Sequence, residues 1–159
     1  MTDGQPAAVV QRVLPATPSE VFAEWVDEEA LAEWMCPLPA HATKVELDPR
    51  VGGRFRIDID EQGTRFYVFG TYLELAPPRL LRFTWGCSTW EDPTVESVVT
   101  VTLEPHGHID TLMTIHHVQL PADQGQNHAR GWTAIAEQLG RVLQQRRPAP
   151  RRAPSDEGR

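Results

Sequence analysis

A chain of 159 residues with a formal charge of −7 has the length of one domain and enough mass to bury a substantial core. Its 40% hydrophobic and 23% charged content is that of a soluble globular protein, and no apolar run reaches the length of a membrane span. The charge is unevenly divided: residues 146–159 hold five arginines against Asp156 and Glu157, which leaves a strongly acidic body and argues against a surface for nucleic-acid backbones. The opening MTDGQPAAVVQRV lacks the basic flank and apolar block of a signal peptide, so the expected compartment is the cytoplasm. Cys36 and Cys87 have no metal-ligand spacing, and a reducing compartment keeps them as thiols.

In chain order, residues 7–14 (AAVVQRVL) read as a first strand. Thr17-Pro18-Ser19-Glu20 then starts a short helix, because Thr17 and Glu20 form a capping box and Pro18 sits where a missing N–H costs nothing. That helix puts Val21, Phe22 and Trp25 on one face; Asp27 caps a second short turn that ends at Trp34-Met35-Cys36-Pro37. Pro37 and Pro39 force an extended loop.

From Ala42 the hydrophobic period changes to two. Residues 44–47 form a strand and 48–53 a turn, in which the pair Gly52-Gly53 is suited to positive φ. Residues 54–60 alternate, with Phe55, Ile57 and Ile59 on one side. Residues 65–75 form a long strand in which two apolar sets compete, so a bulge near Gly70 is expected. After Pro77-Pro78, Leu81, Phe83 and Trp85 share a face, and 86–93 is a loop in which Trp90 reads as part of a lid or as an exposed side chain. Residues 95–104 and 109–118 make a hairpin; Thr111, Met113, Ile115 and His117 lie together on its second strand.

The last ordered stretch, 128–145, is an amphipathic helix with Trp132, Ile135, Ala136, Leu139, Val142 and Leu143 on its apolar face. Its other face, with Arg130, Thr133, Glu137, Gln138, Arg141 and Gln145, is expected to meet water, and Asp123 or Asn127 to cap its start. The sum is α+β: an antiparallel sheet with helices on one side. The organisation expected is a disordered 1–6, a domain over 7–145 and a disordered Arg/Pro/Ala tail over 146–159.

Four stretches carry a resemblance. Pro18-Ser19-Glu20-Val21-Phe22 leading to Trp34 and Pro37, the turn 48–55 with its paired glycines, the run from Gly70 to Trp85 and the pair Gly131-Trp132 stand in the order and spacing of the START-like, or SRPBCC, helix-grip superfamily. The closest likeness is to the branch named after the activator of the heat-shock-protein-ninety ATPase. The resemblance implies a curved antiparallel sheet wrapped around a long C-terminal helix, with two short helices after the first strand. It also implies a cavity between sheet and helix, lined by Trp34, Met35, Phe55, Ile57, Tyr72, Phe83, Trp85, Met113, Ile115, His117 and Trp132. Met35 and Cys36 depart from the second Trp and the Gly usual in that branch, so the shape of the cavity is expected to be individual to this chain.

His117, on an inward strand face, reads either as a group that orients a ligand or serves as a base, or as a buried histidine held by a neighbouring strand or loop. His106 and His108 flank a turn glycine with no third ligand in sight. No nucleophile elbow, phosphate loop or H-E-x-x-H is present, so neither a catalytic set nor a cofactor or metal is expected. The leading expectation is binding of a small hydrophobic or aromatic molecule without chemistry. The alternatives are a co-chaperone-like module for a protein partner, as the resemblance implies, and a cyclase, dehydratase or hydrolase using His117 with Tyr72.

Overall fold

A computed structural model gives the fold over residues 7–92, 94–122 and 124–146; the expectations for 1–6, for the tail beyond Arg146 and for Asp123 fall outside the described residues. The elements in order are β1 (Ala7–Leu14), α1 (Pro18–Val26), α2 (Glu28–Trp34), β2 (His41–Leu47), β3 (Arg54–Glu61), β4 (Thr64–Ala76), β5 (Leu80–Cys87), β6 (Ser97–His106), β7 (Asp110–Val118) and α3 (Gly125–Arg146). The helix starts follow local chemistry. Thr17 Oγ1 accepts from the Glu20 N–H while the Thr17 N–H donates to Glu20 Oε1 at 2.8 Å, and Asp27 Oδ1 accepts from the Ala30 N–H.

All strand pairs are antiparallel, in the order β1-β7-β6-β5-β4-β3-β2. The N-terminal strand thus closes against the last strand; β1, at one edge of the sheet, packs along α3, while β2, at the other edge, packs on α2. This is the helix-grip arrangement, with α1 and α2 between β1 and β2. The competing apolar sets of β4 resolve at Leu73 rather than near Gly70: Phe66, Val68, Gly70 and Tyr72 face inward, the pairing with β5 slips between Tyr72 and Glu74, and Leu75 then turns inward. Gly70 instead meets a close approach, since a Cβ there would lie 1.9 Å from the Thr84 carbonyl and 2.6 Å from the Phe55 ring. Of the pair in the 48–53 turn only Gly52 has positive φ; Gly53 is needed because a Cβ would strike the Asp48 carbonyl.

Helix α3 buries Trp132, Ile135, Ala136, Leu139 and Leu143 against the sheet, as its periodicity requires. Two of its residues depart from expectation. Gln138, assigned to the solvent face, is buried: its Oε1 accepts from the Leu38 N–H at 3.0 Å and its Nε2 donates to the carbonyls of Trp34 (3.1 Å) and Cys36 (2.7 Å). The loop after α2 ends in unsatisfied backbone groups beneath the helix, and an amide is the side chain that offers both an acceptor and donors to them. Arg146, assigned to the tail, closes the last turn of α3 instead. Its Nε donates at 2.6 Å to the buried Glu24 carboxylate, which also accepts from Trp34 Nε1, and its Nη2 reaches Glu33. A cation at a helix C-terminus facing a buried carboxylate is favoured by both the helix dipole and the pair.

Candidate functional site: a cavity at the N-terminal half of the long helix

Between the first half of α3 and the sheet lies a cavity of about 530 Å³. Its inner wall comes from the buried side chains of Met35, Ile59, Val68, Trp85, Trp132 and Ile135, with the thiols of Cys36 and Cys87 among them. Exposed residues from four separate segments, Leu38, Glu61, Thr89 and Asn127, form its rim. The side chains at 128, 132 and 135, with Gly131, recur at helical spacing and face it together. Both cysteines are free, and burial pushes the Cys36 thiol up to about 12, so it stays protonated and unreactive at neutral pH.

The eleven residues expected to line a cavity divide into three groups. Met35, Trp85 and Trp132 are on the wall of this one. Phe55, Ile57, Tyr72 and Phe83 surround a void of only about 20 Å³ toward the other end of these strands, together with Trp25; Met35 and Trp85 border both spaces. Ring contacts fill that end: Phe55 lies edge-on to Phe83 at 5.4 Å, and Trp25 lies 6.2 Å from Phe83. Trp34, Met113, Ile115 and His117 are fully buried in the packed interior and reach neither space. The hollow end is therefore the one near Ile59, Phe66, Val68 and Cys87. Alternation marked Ile59 as inward, but it gave no means of choosing between the two ends of a strand.

His117 is a structural group. Its Nε2 lies 2.6 Å from Ser97 Oγ, whose own hydrogen goes to the Trp85 carbonyl at 2.7 Å; Trp132 Nε1 donates to His117 Nδ1 at 2.9 Å. The pattern closes only if Nε2 carries the ring proton and Nδ1 the lone pair, that is, with a neutral imidazole. Burial, with the neighbouring His128 and His116 acting in the same direction, lowers its pKa to about 2. With both nitrogens engaged, His117 offers no free base to a ligand, and it fixes the indole of Trp132 on the cavity wall. Ser97, which completes this chain, has no sequence signal of its own.

Three further residues border the cavity. Trp90 is not an exposed side chain, the second of its two expected readings: it is 7% exposed and packs edge-to-face on His128 at 5.8 Å. His128 in turn lies edge-to-face on His117, with ring centroids 5.0 Å apart. Gly131 has open space beside it, since a Cβ there would meet only Pro37, at 3.8 Å. Replacing Gly131 by Ala is thus free of steric penalty and should raise stability by about 1 kcal/mol, the usual advantage of Ala over Gly inside a helix. Urea unfolding of the variant measures it; a loss of stability would show that the backbone at 131 needs glycine.

A likeness to known proteins accompanies this geometry. A protein of Chromobacterium violaceum has 29% sequence identity and a TM-score of 0.78, over 87% of this chain and 96% of the other. The AHSA1 protein of Silicibacter pomeroyi is 26% identical with a TM-score of 0.77, over 89% of this chain and 99% of its own. A Nitrosomonas europaea protein shares the fold at 23% identity and a TM-score of 0.76, over 92% of this chain and 98% of the other. No curated protein matches the sequence. The model of the activator of Hsp90 ATPase homolog 1-like family matches residues 15–144, which takes in everything from the end of β1 to the last turn of α3, and the chain belongs to that family.

Proposed function

We propose that this protein binds a small hydrophobic or aromatic molecule in the cavity between its sheet and α3. The observation that carries the reading is the space itself: about 530 Å³ lies within the range of small-molecule sites, roughly 300–1,000 Å³. Its inner wall is mostly apolar, and its polar side chains, Glu61, Thr89, Gln124, Asn127 and His128, lie toward the rim and the start of α3. A packed interior would not leave a void of this size beside an aromatic cluster that keeps only about 20 Å³ open in the same core. The wall also supplies its own reporters, because Trp85, Trp90 and Trp132 are three of the five tryptophans in the chain.

The reading is tested by a thermal-shift screen of fatty acids, aromatic and polycyclic compounds, followed by tryptophan fluorescence titration of the hits. The expected result is a ligand that raises Tm and quenches emission in the wild type but not in Gly131→Leu, whose side chain would project past Pro37 into the cavity. If no compound shifts Tm, or if quenching is unaltered in Gly131→Leu, the site is elsewhere or absent.

A further inference from the structure

The two imidazoles packed edge-to-face beside the cavity differ in what their nitrogens are free to do, and the difference bears on what the cavity accepts. His117 is saturated by Ser97 and Trp132. Among the described residues the His128 side chain makes one hydrogen bond: Nδ1 lies 3.1 Å from the carbonyl oxygen of Gln124, just before the start of α3. A carbonyl only accepts, so this contact puts the ring hydrogen on Nδ1. In the neutral ring Nε2 then holds a lone pair, and it meets no hydrogen-bond partner among the described residues. The ring cannot easily turn to change this, being held edge-on between Trp90 at 5.8 Å and His117 at 5.0 Å. It is half-buried, set between the exposed Asn127 at the rim and the buried Trp132 on the wall.

We infer that Nε2 of His128 is a hydrogen-bond acceptor built into the cavity wall, and that the ligand is an apolar molecule carrying an O–H or N–H donor, such as a phenol or a hydroxylated ring system. This rests on the proposed binding role of the cavity and adds the chemical class. On the inner wall no other side chain duplicates it: the Cys36 and Cys87 thiols are weak donors and weaker acceptors, and the indoles of Trp85, Trp90 and Trp132 only donate. Glu61, Thr89 and Asn127 can also accept but are exposed at the rim, with the half-buried Gln124 beside them, and the His128 variant below separates their contribution from that of Nε2. Burial lowers the pKa of His128 and so keeps the accepting neutral form at physiological pH. A ligand that fills the apolar space but brings no donor leaves this lone pair desolvated; a carboxylate or ketone oxygen placed against it is repelled.

Calorimetric titration of the full chain with 2-naphthol and with 2-methylnaphthalene tests this, because the pair differs in a hydroxyl against a methyl of similar size. The wild type should prefer 2-naphthol by about tenfold, the worth of one buried hydrogen bond. In His128→Phe the ratio between the two should fall to near one. Equal binding of both probes by the wild type overturns the acceptor while leaving the cavity reading in place, as does a tenfold preference that survives in His128→Phe. Binding of neither probe, up to the limit of solubility, overturns both.

Discussion

Replacing Gln138 by Leu should destabilise the protein by about 3 kcal/mol, although the substitution keeps a residue of similar helix propensity and adds apolar surface. The loss comes from three backbone groups at once: the Leu38 N–H and the carbonyls of Trp34 and Cys36, which have Gln138 as their partner under α3. Each buried group left unpaired costs about 1–3 kcal/mol, and the exposed position of Leu38 allows part of that to be recovered by water. Gln138→Glu is close to isosteric but aims carboxylate oxygens at two carbonyls, so it should be at least as damaging. The segment these bonds hold, 35–38, is one wall of the cavity, so both variants should also weaken any ligand found for it. Chemical denaturation measures the first effect and titration the second. A Gln138→Leu protein within about 1 kcal/mol of the wild type would show that the loop is held by packing instead.

Stability should fall steeply on acidification through the His117 network. The unfolded chain takes up a proton on this side chain near its ordinary value of 6.5, whereas the folded protein refuses it down to about 2. Wherever the unfolded state binds more protons, stability rises with pH; the contribution of neutral His117 is therefore complete above pH 6.5 and is lost progressively as pH falls from 6.5 toward 2. Between pH 7 and pH 5 the loss from this one group comes to about 2 kcal/mol. Burial lowers the pKa of His128 as well, which adds loss of the same sign. In His117→Leu the difference between urea unfolding energies at pH 7 and pH 5 should shrink by the His117 share. An unchanged difference would mean that the imidazole is protonated in the folded state, which the donated Trp132 Nε1–H forbids.

Much of the fold could be read from the residues one element at a time. The capping box at Thr17 and Glu20, the Asp27 cap, the alternation of Phe55, Ile57 and Ile59 and the apolar stripe from Trp132 to Leu143 are local signals, and each is obeyed. The errors share a cause. Gln138 reads as a solvent-facing position because polarity is the sole cue on a helix face, whereas its burial depends on a loop 100 residues away in sequence that needs its amide. Arg146 looks like the start of a charged tail because its partner, Glu24, lies 122 residues earlier. The bulge in β4 sits at Leu73 because it is fixed by the register with β5, not by the glycine nearby.

The candidate site was less legible for a related reason. Inward-facing residues follow from periodicity, which points Phe55, Ile57, Phe83, Trp85, Met113, Ile115, His117 and Trp132 to the interior, where they are found. Which part of that interior is hollow is a matter of volumes summed across the sheet, the short helices and α3. It takes the folded packing to fix that Trp25, Phe55, Tyr72 and Phe83 fill one end while about 530 Å³ stays open at the other, near Cys87, Trp90 and His128. The same packing also decided the fate of the two inner histidines. Hydrogen-bond saturation depends on partners from other strands and helices, so Ser97 and Trp132 make His117 structural, while the Gln124 carbonyl leaves His128 with a lone pair to offer.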